Sequence, residues 1–458
     1  MALPGRGGHL PPSAFRLPPS RLRLLLVTYY FPPAGGAGVQ RTLKFAKYLR
    51  AAGVEPVVLT VEAGAYPKLD PAMAADVPPG VAVVRTPAPD PFALYGRLTG
   101  RTRQEAVADQ LRSAPAGAAE RAARWVRANL VLPDARVGWV PFAVRAARRA
   151  HRARPFDAVL TSGPPHSAHL VGWALRRAGL PWVADFRDPW TDIHYYERLP
   201  RTRPAQRADA RLERAVLRAA DRVTVVSGRW RSLLAAKVRR PARAFAVVSN
   251  GFDAEDFEGV EGRPPTDRFT LTHVGTLYGT PDPVLRALAR LRAGGAQTAR
   301  AGRLRLRLVG HVPDVVAEAV GRYGLGGAVE VVPYVPHDAA VREMAGAGAL
   351  LLVLEDWPHA EGLVTGKLYE YLASGRPVVG VGPPDGDAAA LLAETGGGAM
   401  VARDDVDGLA AVLGAHYDAW AAGAPLAGAP RDRLAPYTRR AQTARLADVV
   451  REAVAENR

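Results

Sequence analysis

The hydrophobic positions of this 458-residue chain follow two spacings in turn. Short apolar runs read as strands buried on both faces: "LRLLLVTYY" (22–30), "EPVVLTV" (55–61), "VAVVRT" (81–86), "DAVLTSG" (157–163), "PWVADFRD" (181–188) and "RVTVVS" (222–227). Between them the spacing lengthens to that of a helix. In "VQRTLKFAKYLRAAG", Val39, Leu43, Ala46 and Leu49 share one face, and Gly53 is the stop. Strands alternating with helices predict a parallel sheet covered on both sides. From about 90 to 150 one or two Arg-rich helices interrupt the scheme, with Trp125, Trp139 and Phe142 among them. Such helices either pack on the surface or turn a basic, aromatic face to a membrane or an acceptor cleft.

After Ser249 an acidic segment with Gly and Pro breaks the pattern, which then restarts. "FTLTHVG" (269–275), "LRLRLVG" (304–310), "VEVVPYV" (329–335), "ALLLVLE" (349–355) and "PVVGVG" (377–382) are the strands of a second doubly wound unit. At the end, Ala441, Leu446, Val449, Val450 and Ala453 form an apolar helical stripe. The expected organisation is a Pro- and Arg-rich disordered tail over 1–20, a first domain over 21–250 and a linker over 251–268. A second domain follows over 269–430, then a helix over 431–458 that crosses back to the first.

Composition narrows the chemistry. Hydrophobic residues make up 48% and charged residues 23%, which fits a globular chain rather than a disordered one. No cysteine is present, so disulfides, thiolate metal sites and a cysteine nucleophile are excluded. No apolar run has the length of a membrane span, and the tail lacks the apolar core of a signal peptide. The net charge of +17 is uneven: residues 1–250 carry roughly +23 and the remainder roughly −6. That asymmetry points to a polyanion, an anionic membrane surface or a phosphorylated substrate, or to a solvated arginine-rich surface.

Open parallel sheets bind ligands beyond the C-terminal ends of their strands, so the loops there hold the candidate residues. In "HVGTLYGTPDP", Gly275, Thr276 and Leu277 leave a strand, and the glycine lets backbone amides approach an anion. In "EDWPHAEGLVTGKLYEYL", Gly362 and Gly366 flank a helix start beside Glu361 and Thr365. Lys367 in the first turn opposes the helix dipole unless it faces an anion, and Glu370 follows on the same face. This reads as a cation for phosphates and a carboxylate for ribose hydroxyls; the alternative is an ordinary i,i+3 surface pair. In the first domain Gly35, Gly36 and Gly38 form a glycine-rich loop, with Arg41 and Lys44 after it as candidates for an acceptor phosphate. His166 in "SGPPHSAH" and Asp188 in "DFRDPW" both follow strands, while Asp185 and Arg187 read as a pair. The carboxylates of "DGD" (385–387) and "DDVD" (404–407) stand where helix N-caps are expected, so no metal site is predicted.

Several of these stretches, in order along most of the chain, resemble the family 4 glycosyltransferases of the GT-B fold: "YYFPPAGGAGVQRTLKFAKYL", "TSGPPHSAHLVGWAL", "WVADFRDPWTD", "VSNGFD", "HVGTLYG" and "GKLYEYLASGRPVV". The resemblance implies two Rossmann-like domains facing across a cleft. It also implies transfer of a sugar, with retention, from a nucleoside diphosphate-sugar to an acceptor hydroxyl, with no metal and no tightly bound cofactor. Glu370 matches the second glutamate of the family's Glu-x7-Glu element and is expected at the donor ribose. The first glutamate falls on Gly362, with Glu361 one position out of register. Lys367 supplies one of the family's two bases for the diphosphate, and His166, Lys367 and Asp188 are the expected catalytic residues. Gly275, Thr276, Leu277, Glu361, Gly362, Thr365 and Gly366 complete the expected donor side; Gly35, Gly36, Gly38, Arg41 and Lys44 form the acceptor side. The acceptor is expected to be a sugar, a glycan or a lipid-linked carrier, and the protein cytoplasmic, with a peripheral place at the inner membrane face through its basic half. A sugar-nucleotide epimerase of the same fold is the nearest rival. A nucleic-acid-binding protein is the rival from another class, though no such motif is present and no nucleic acid is expected as partner.

Overall fold

The computed structural model describes residues 21–64, 66, 69–89, 117–193, 196, 199–293 and 302–458. The expected tail and part of the irregular stretch before 117 lie outside them. Two all-parallel sheets organise the rest. The first runs β3-β2-β1-β4-β5-β6-β7 and the second β10-β9-β8-β11-β12-β13.

In the first domain β1 is Leu22–Val27, β2 Val54–Val61, β3 Ala82–Thr86, β4 Ala158–Gly163, β5 Trp182–Phe186, β6 Arg222–Val225 and β7 Phe245–Val247. The helices between them are α1 (Ala37–Tyr48), α2 (Ala118–Leu130), α3 (Val140–Ala153), α4 (Ser167–Arg176), α5 (Arg203–Ala219) and α6 (Gly228–Ala236). In the second domain β8 is Phe269–Val274, β9 Leu304–Val309, β10 Val329–Val332, β11 Ala349–Val353, β12 Val378–Val381 and β13 Gly398–Val401. Its helices are α7 (Asp282–Ala293), α8 (Val315–Arg322), α9 (His337–Ala345), α10 (Gly366–Ala373), α11 (Asp387–Thr395) and α12 (Val406–Ala421). A single turn, α13 (Arg431–Leu434), leads to α14 (Arg439–Ala455).

The unbroken apolar runs are explained by burial on two faces. On β1, Leu25 and Val27 pack with Trp139, Ala143 and Val159, whereas Leu24 and Leu26 pack with Leu43 and Leu49 of α1. Trp139, a candidate aromatic of the irregular stretch, therefore belongs to the core; its indole N–H donates to Thr86 Oγ1 at 2.8 Å. Trp125, Leu130 and Phe142 stay exposed. Some runs end as strands before the apolar stretch does, because the last residues turn into loops: β1 stops at Val27, not Tyr30, and β10 at Val332, not Val335, whereas β2, β3 and β4 run to the end of theirs. The short strand β13 had no counterpart in the apolar pattern; two of its four residues are Gly398 and Ala399, and it lies at the sheet edge.

The chain passes between the domains twice. It leaves the first after β7, and Phe252 there forms a parallel bridge with Thr438. Through the second passage α14 returns, and its Leu446, Ala447, Val450 and Ala453 are fully enclosed with Leu24, Leu26 and Leu43. Glu452 and Glu456 at its far end pair with Arg222 of β6. Because Leu446 has no exposed surface, Leu446→Ala is expected to destabilise the protein by about 2–5 kcal/mol. Urea unfolding measures this; a loss below about 0.5 kcal/mol, as for a surface site, contradicts the packing.

Candidate active site

Strand order reverses beside β1 and β4 in one sheet and beside β8 and β11 in the other. Connections leave these neighbours in opposite directions, so a crevice opens beyond their C-terminal ends. The loops after β1, β4, β8 and β11 carry most of the candidate residues.

On the second domain, Gly275 ends β8 at φ +112°, a conformation that favours glycine. A methyl group there would lie 3.1 Å from Lys367 Cε and 3.2 Å from Nζ, so the glycine also gives the lysine its place. Lys367 Nζ reaches the carbonyl of Thr276 and Nε2 of His273, both at 3.1 Å. His273 Nδ1 lies 3.0 Å from the carbonyl of Leu351, which fixes Nδ1 as the donor and leaves Nε2 to accept from the ammonium. Burial, then the nearby Lys367 charge, lowers the His273 pKa to about 3, so the ring is neutral. Lys367 thus touches two neutral acceptors and no carboxylate. Burial lowers its pKa to about 8, with Glu370 acting in the opposite direction.

Glu370 follows one turn along α10 and makes no side-chain hydrogen bond among the described residues. Burial raises its pKa, while His337, Arg439 and Lys367 draw it down. Thr365, the N-cap of α10, makes no side-chain cap bond, and its buried Oγ1 is unpartnered. A helix start also leaves its first amides without intrahelical acceptors. An ammonium, a hydroxyl, free amides and an unpaired carboxylate therefore share one short helix, a set able to take phosphate oxygens at one end and hydroxyls at the other. Glu361 and Gly362 sit on the preceding loop. Gly362 is buried because Trp230 of the first domain packs on it.

On the first domain the expectations divide. Gly36 caps α1 at φ +97° with open space around it, and Gly35 packs against Asp70. Arg41 and Lys44 do not serve as expected. Every N–H of Arg41 is taken internally: two bonds to Asp185 at 2.7 and 3.0 Å, and others to the carbonyls of Val248 and Ser249 and to Asn250. Lys44 is buried on Asp253 at 2.7 Å. Arg41 therefore has no donor left for an acceptor phosphate, and Lys44 is enclosed among Asp253, Asp76 and Asp256. The expected Asp185–Arg187 pair is corrected likewise. Asp185 holds Arg41, Ser162 and Thr224, which together keep its carboxyl ionised against the opposing effect of burial. Arg187 instead donates to the carbonyls of Gly38, Gly163 and Pro164, tying the loops after β1 and β4 together.

His166 precedes α4, and its ring stacks on Trp190 at 4.6 Å and 9°. Both its nitrogens are buried without a partner, and burial and neighbouring cations hold its pKa well below the usual value. A neutral imidazole with both nitrogens free can donate one hydrogen bond and accept another. His169 differs: Thr161 Oγ1 receives the Trp182 indole N–H and lies 2.9 Å from His169 Nδ1. Asp188 is half-buried, with its pKa raised by burial and lowered by Arg187. Among the described residues no three His, Asp or Glu side chains are grouped to hold a metal ion. Asp405 caps α12 by accepting from the Gly408 amide at 2.7 Å. Asp385 and Asp387, however, hold Arg229 of the first domain.

Arg439 escaped the sequence reading. It opens α14 and is nine-tenths buried, with Nη1 unpartnered, and burial lowers its pKa to about 10. Its signal in the sequence is a cation just after the cap residue Thr438, on a helix otherwise marked by its apolar stripe.

Residues 35–251 match the model of the glycosyl transferase 4-like domain. This chain is a glycosyltransferase of the GT-B fold. Among solved structures, sucrose-phosphate synthase from Thermosynechococcus elongatus superposes with a TM-score of 0.56 at 16% identity, over 95% of this chain and 100% of that one. A glycosyltransferase from Rickettsia africae gives 0.60 at 11% identity, over 94% and 98%. The Anabaena protein Alr3699/HepE, in complex with UDP and glucose, gives 0.53 at 16% identity, over 95% and 98%. At these identities the likeness concerns the fold. No curated protein sequence matches the chain.

Lys367 offers a direct check on the electrostatics of this glycosyltransferase. Its folded pKa of about 8 lies below the ordinary lysine value, 10.5, so it is charged below pH 8 and neutral above. Between those values the unfolded chain binds the extra proton, so this group makes stability rise with pH there. With only five lysines in the chain, competitive acylation read by mass spectrometry should show Lys367 becoming reactive around pH 8. Half-reaction near 10.5 contradicts the described burial.

Proposed function

We propose that this glycosyltransferase moves a sugar from a nucleoside diphosphate-sugar to an acceptor hydroxyl with retention of configuration. The observation that carries the proposal is the pairing on α10 of an ammonium without a carboxylate contact and a carboxylate without a hydrogen bond, one turn apart beside a glycine-lined loop. Lys367 and the first-turn amides take the diphosphate, with Gly275, Thr276 and Leu277 closing over it. Glu370 accepts from the ribose hydroxyls. Thr365 and Gly366 complete the phosphate cradle, and Glu361 and Gly362 lie toward the sugar. Gly35, Gly36 and Gly38 border the acceptor, with His166 and Asp188 beside the reacting centre. Arg439 offers its free Nη1 to an acceptor oxygen of the bound ligands.

In the reaction the bond from the anomeric carbon to the β-phosphate oxygen breaks, and its electron pair leaves with the nucleoside diphosphate. The acceptor oxygen bonds to the anomeric carbon on the same face, and its proton passes to the departing phosphate. Lys367 and the helix-end amides stabilise the charge that grows on the phosphate, and they are already oriented before it grows. Neutral His166 has no fixed partner to give up before it hydrogen-bonds a sugar hydroxyl. The UDP and UDP-glucose bound by HepE support a uridine nucleotide as the first donor to test.

A thermal-shift screen of nucleoside diphosphates and nucleotide-sugars is expected to return one base. Loss of the carboxylate in Glu370→Ala removes a charged hydrogen bond of about 1.5–3 kcal/mol, or roughly 10- to 100-fold in affinity. Unchanged affinity in the variant removes Glu370 from the site.

The charge of roughly +23 on residues 1–250 supports an acceptor carried on an anionic surface, such as a phosphate-linked lipid. The place of action is then the cytoplasmic face of the membrane, as a peripheral protein. No helix among the described residues is long and apolar enough to cross a membrane. The protein is expected to sediment with anionic vesicles at low salt and to be released as salt rises. Failure to sediment at low salt overturns this part of the proposal.

A further inference from the structure

The first turn of α6 belongs to the first domain, yet its polar groups and those of its N-cap are committed to the second. Ser227 Oγ donates to the carbonyl of Gly362 at 2.6 Å, a buried bond. The Trp230 indole N–H donates to the carbonyl of His359 at 3.3 Å. The Arg229 amide donates to Asp387 Oδ2 at 2.7 Å, and its guanidinium to the Asp385 carbonyl at 2.6 Å. Three of the four positions 227–230 thus grip the loop between β11 and α10 and the segment that opens α11.

The indole does more than hydrogen-bond. A methyl group placed on Gly362 would meet Trp230 Cδ1 at 2.2 Å and Nε1 at 2.5 Å, distances no atom pair tolerates. The loop can follow its path only because residue 362 has no side chain, and the indole fills the space a side chain would take. Three residues earlier His359 sits at φ +60°, the one non-glycine residue with positive φ among those described. Such a backbone costs free energy and persists where its surroundings impose it. Here the surroundings include the indole, which is bonded to that residue's own carbonyl.

We propose that Trp230 is a positioning residue for the donor sugar. From across the cleft it holds residues 359–362 in the shape they present to the sugar, so that the sugar pocket is a composite of both domains while the nucleotide pocket belongs to one. This rests on the donor reading above, which puts the sugar beyond the diphosphate toward Glu361 and Gly362. In place of a carboxylate at 362, the sugar meets loop backbone whose form depends on the opposite domain.

Calorimetric titration of UDP and of the UDP-sugar found in the screen separates the two pockets. For wild type the sugar ester is expected to bind more tightly than UDP. Trp230→Ala and Gly362→Ala are each expected to keep the UDP Kd within about threefold and to lower the ratio of the two Kd values at least fivefold. The double variant should do no worse than either single one, because the indole struck by the new methyl is gone. Trp230→Phe keeps a ring and loses the N–H, so an intermediate loss of the ratio is expected, and it remains informative if Trp230→Ala fails to fold. An unchanged ratio in Trp230→Ala or Trp230→Phe overturns the proposal, as does an equal fall in both affinities, which is the mark of a general structural role. A wild type that binds no nucleoside diphosphate overturns the donor reading itself and the proposal with it.

Discussion

The first domain is organised around the buried pair of Arg41 and Asp185. Asp185, the penultimate residue of β5, collects four bonds: two from Arg41 on α1, one from Ser162 on β4 and one from Thr224 on β6. Arg41 spends its remaining donors on the stretch just after β7. A single ion pair thus links the helix after β1 to three neighbouring strands and to the exit toward the second domain. Removing one partner from such a pair leaves an uncompensated buried charge, at about 3–5 kcal/mol. Beneath the crevice this network fixes where the loops after β1 and β4 begin, and Arg187 then ties those loops together through their carbonyls.

The same accounting of donors and acceptors separates scaffold from candidate site. Arg41, Lys44 and Asp185 are charged, buried and held by opposite charges, so they hold the fold. Lys367, Glu370, Thr365, His166 and Arg439 are charged or polar, largely withdrawn from water, and short of partners. Folding proteins seldom leave such groups unsatisfied. The two classes lie close along the chain: Lys44 and Arg41 belong to one, and Thr365, Lys367 and Glu370 on a single helix start to the other.

Sequence pattern was enough for the double sheet, because parallel strands buried on both faces leave long apolar runs that nothing else in the chain imitates. The strand order that creates the two switch points was legible only by analogy. The proximity of Gly275, Lys367 and Glu370 was readable because their spacing is local: one helix turn, and one loop that lies next to it. Arg41 and Lys44 misled for the opposite reason. Their counter-charges, Asp185 and Asp253, stand 144 and 209 positions away, and no local pattern announces a partner so distant. The place of Trp230 was equally hidden, since it depends on the missing side chain of Gly362 in the other domain.

The return of α14 has a consequence for how the protein is made. The face of the first sheet that carries Leu24 and Leu26 is closed by Leu446 and Val450, more than 400 positions further along. During synthesis the first domain therefore emerges with the part of that face not covered by α1 bare, and stays so while the second domain is translated. Exposed apolar surface of that kind is what chaperones hold and what aggregates. The last turns of the chain act as a late keystone, and the two domains reach their final stability together.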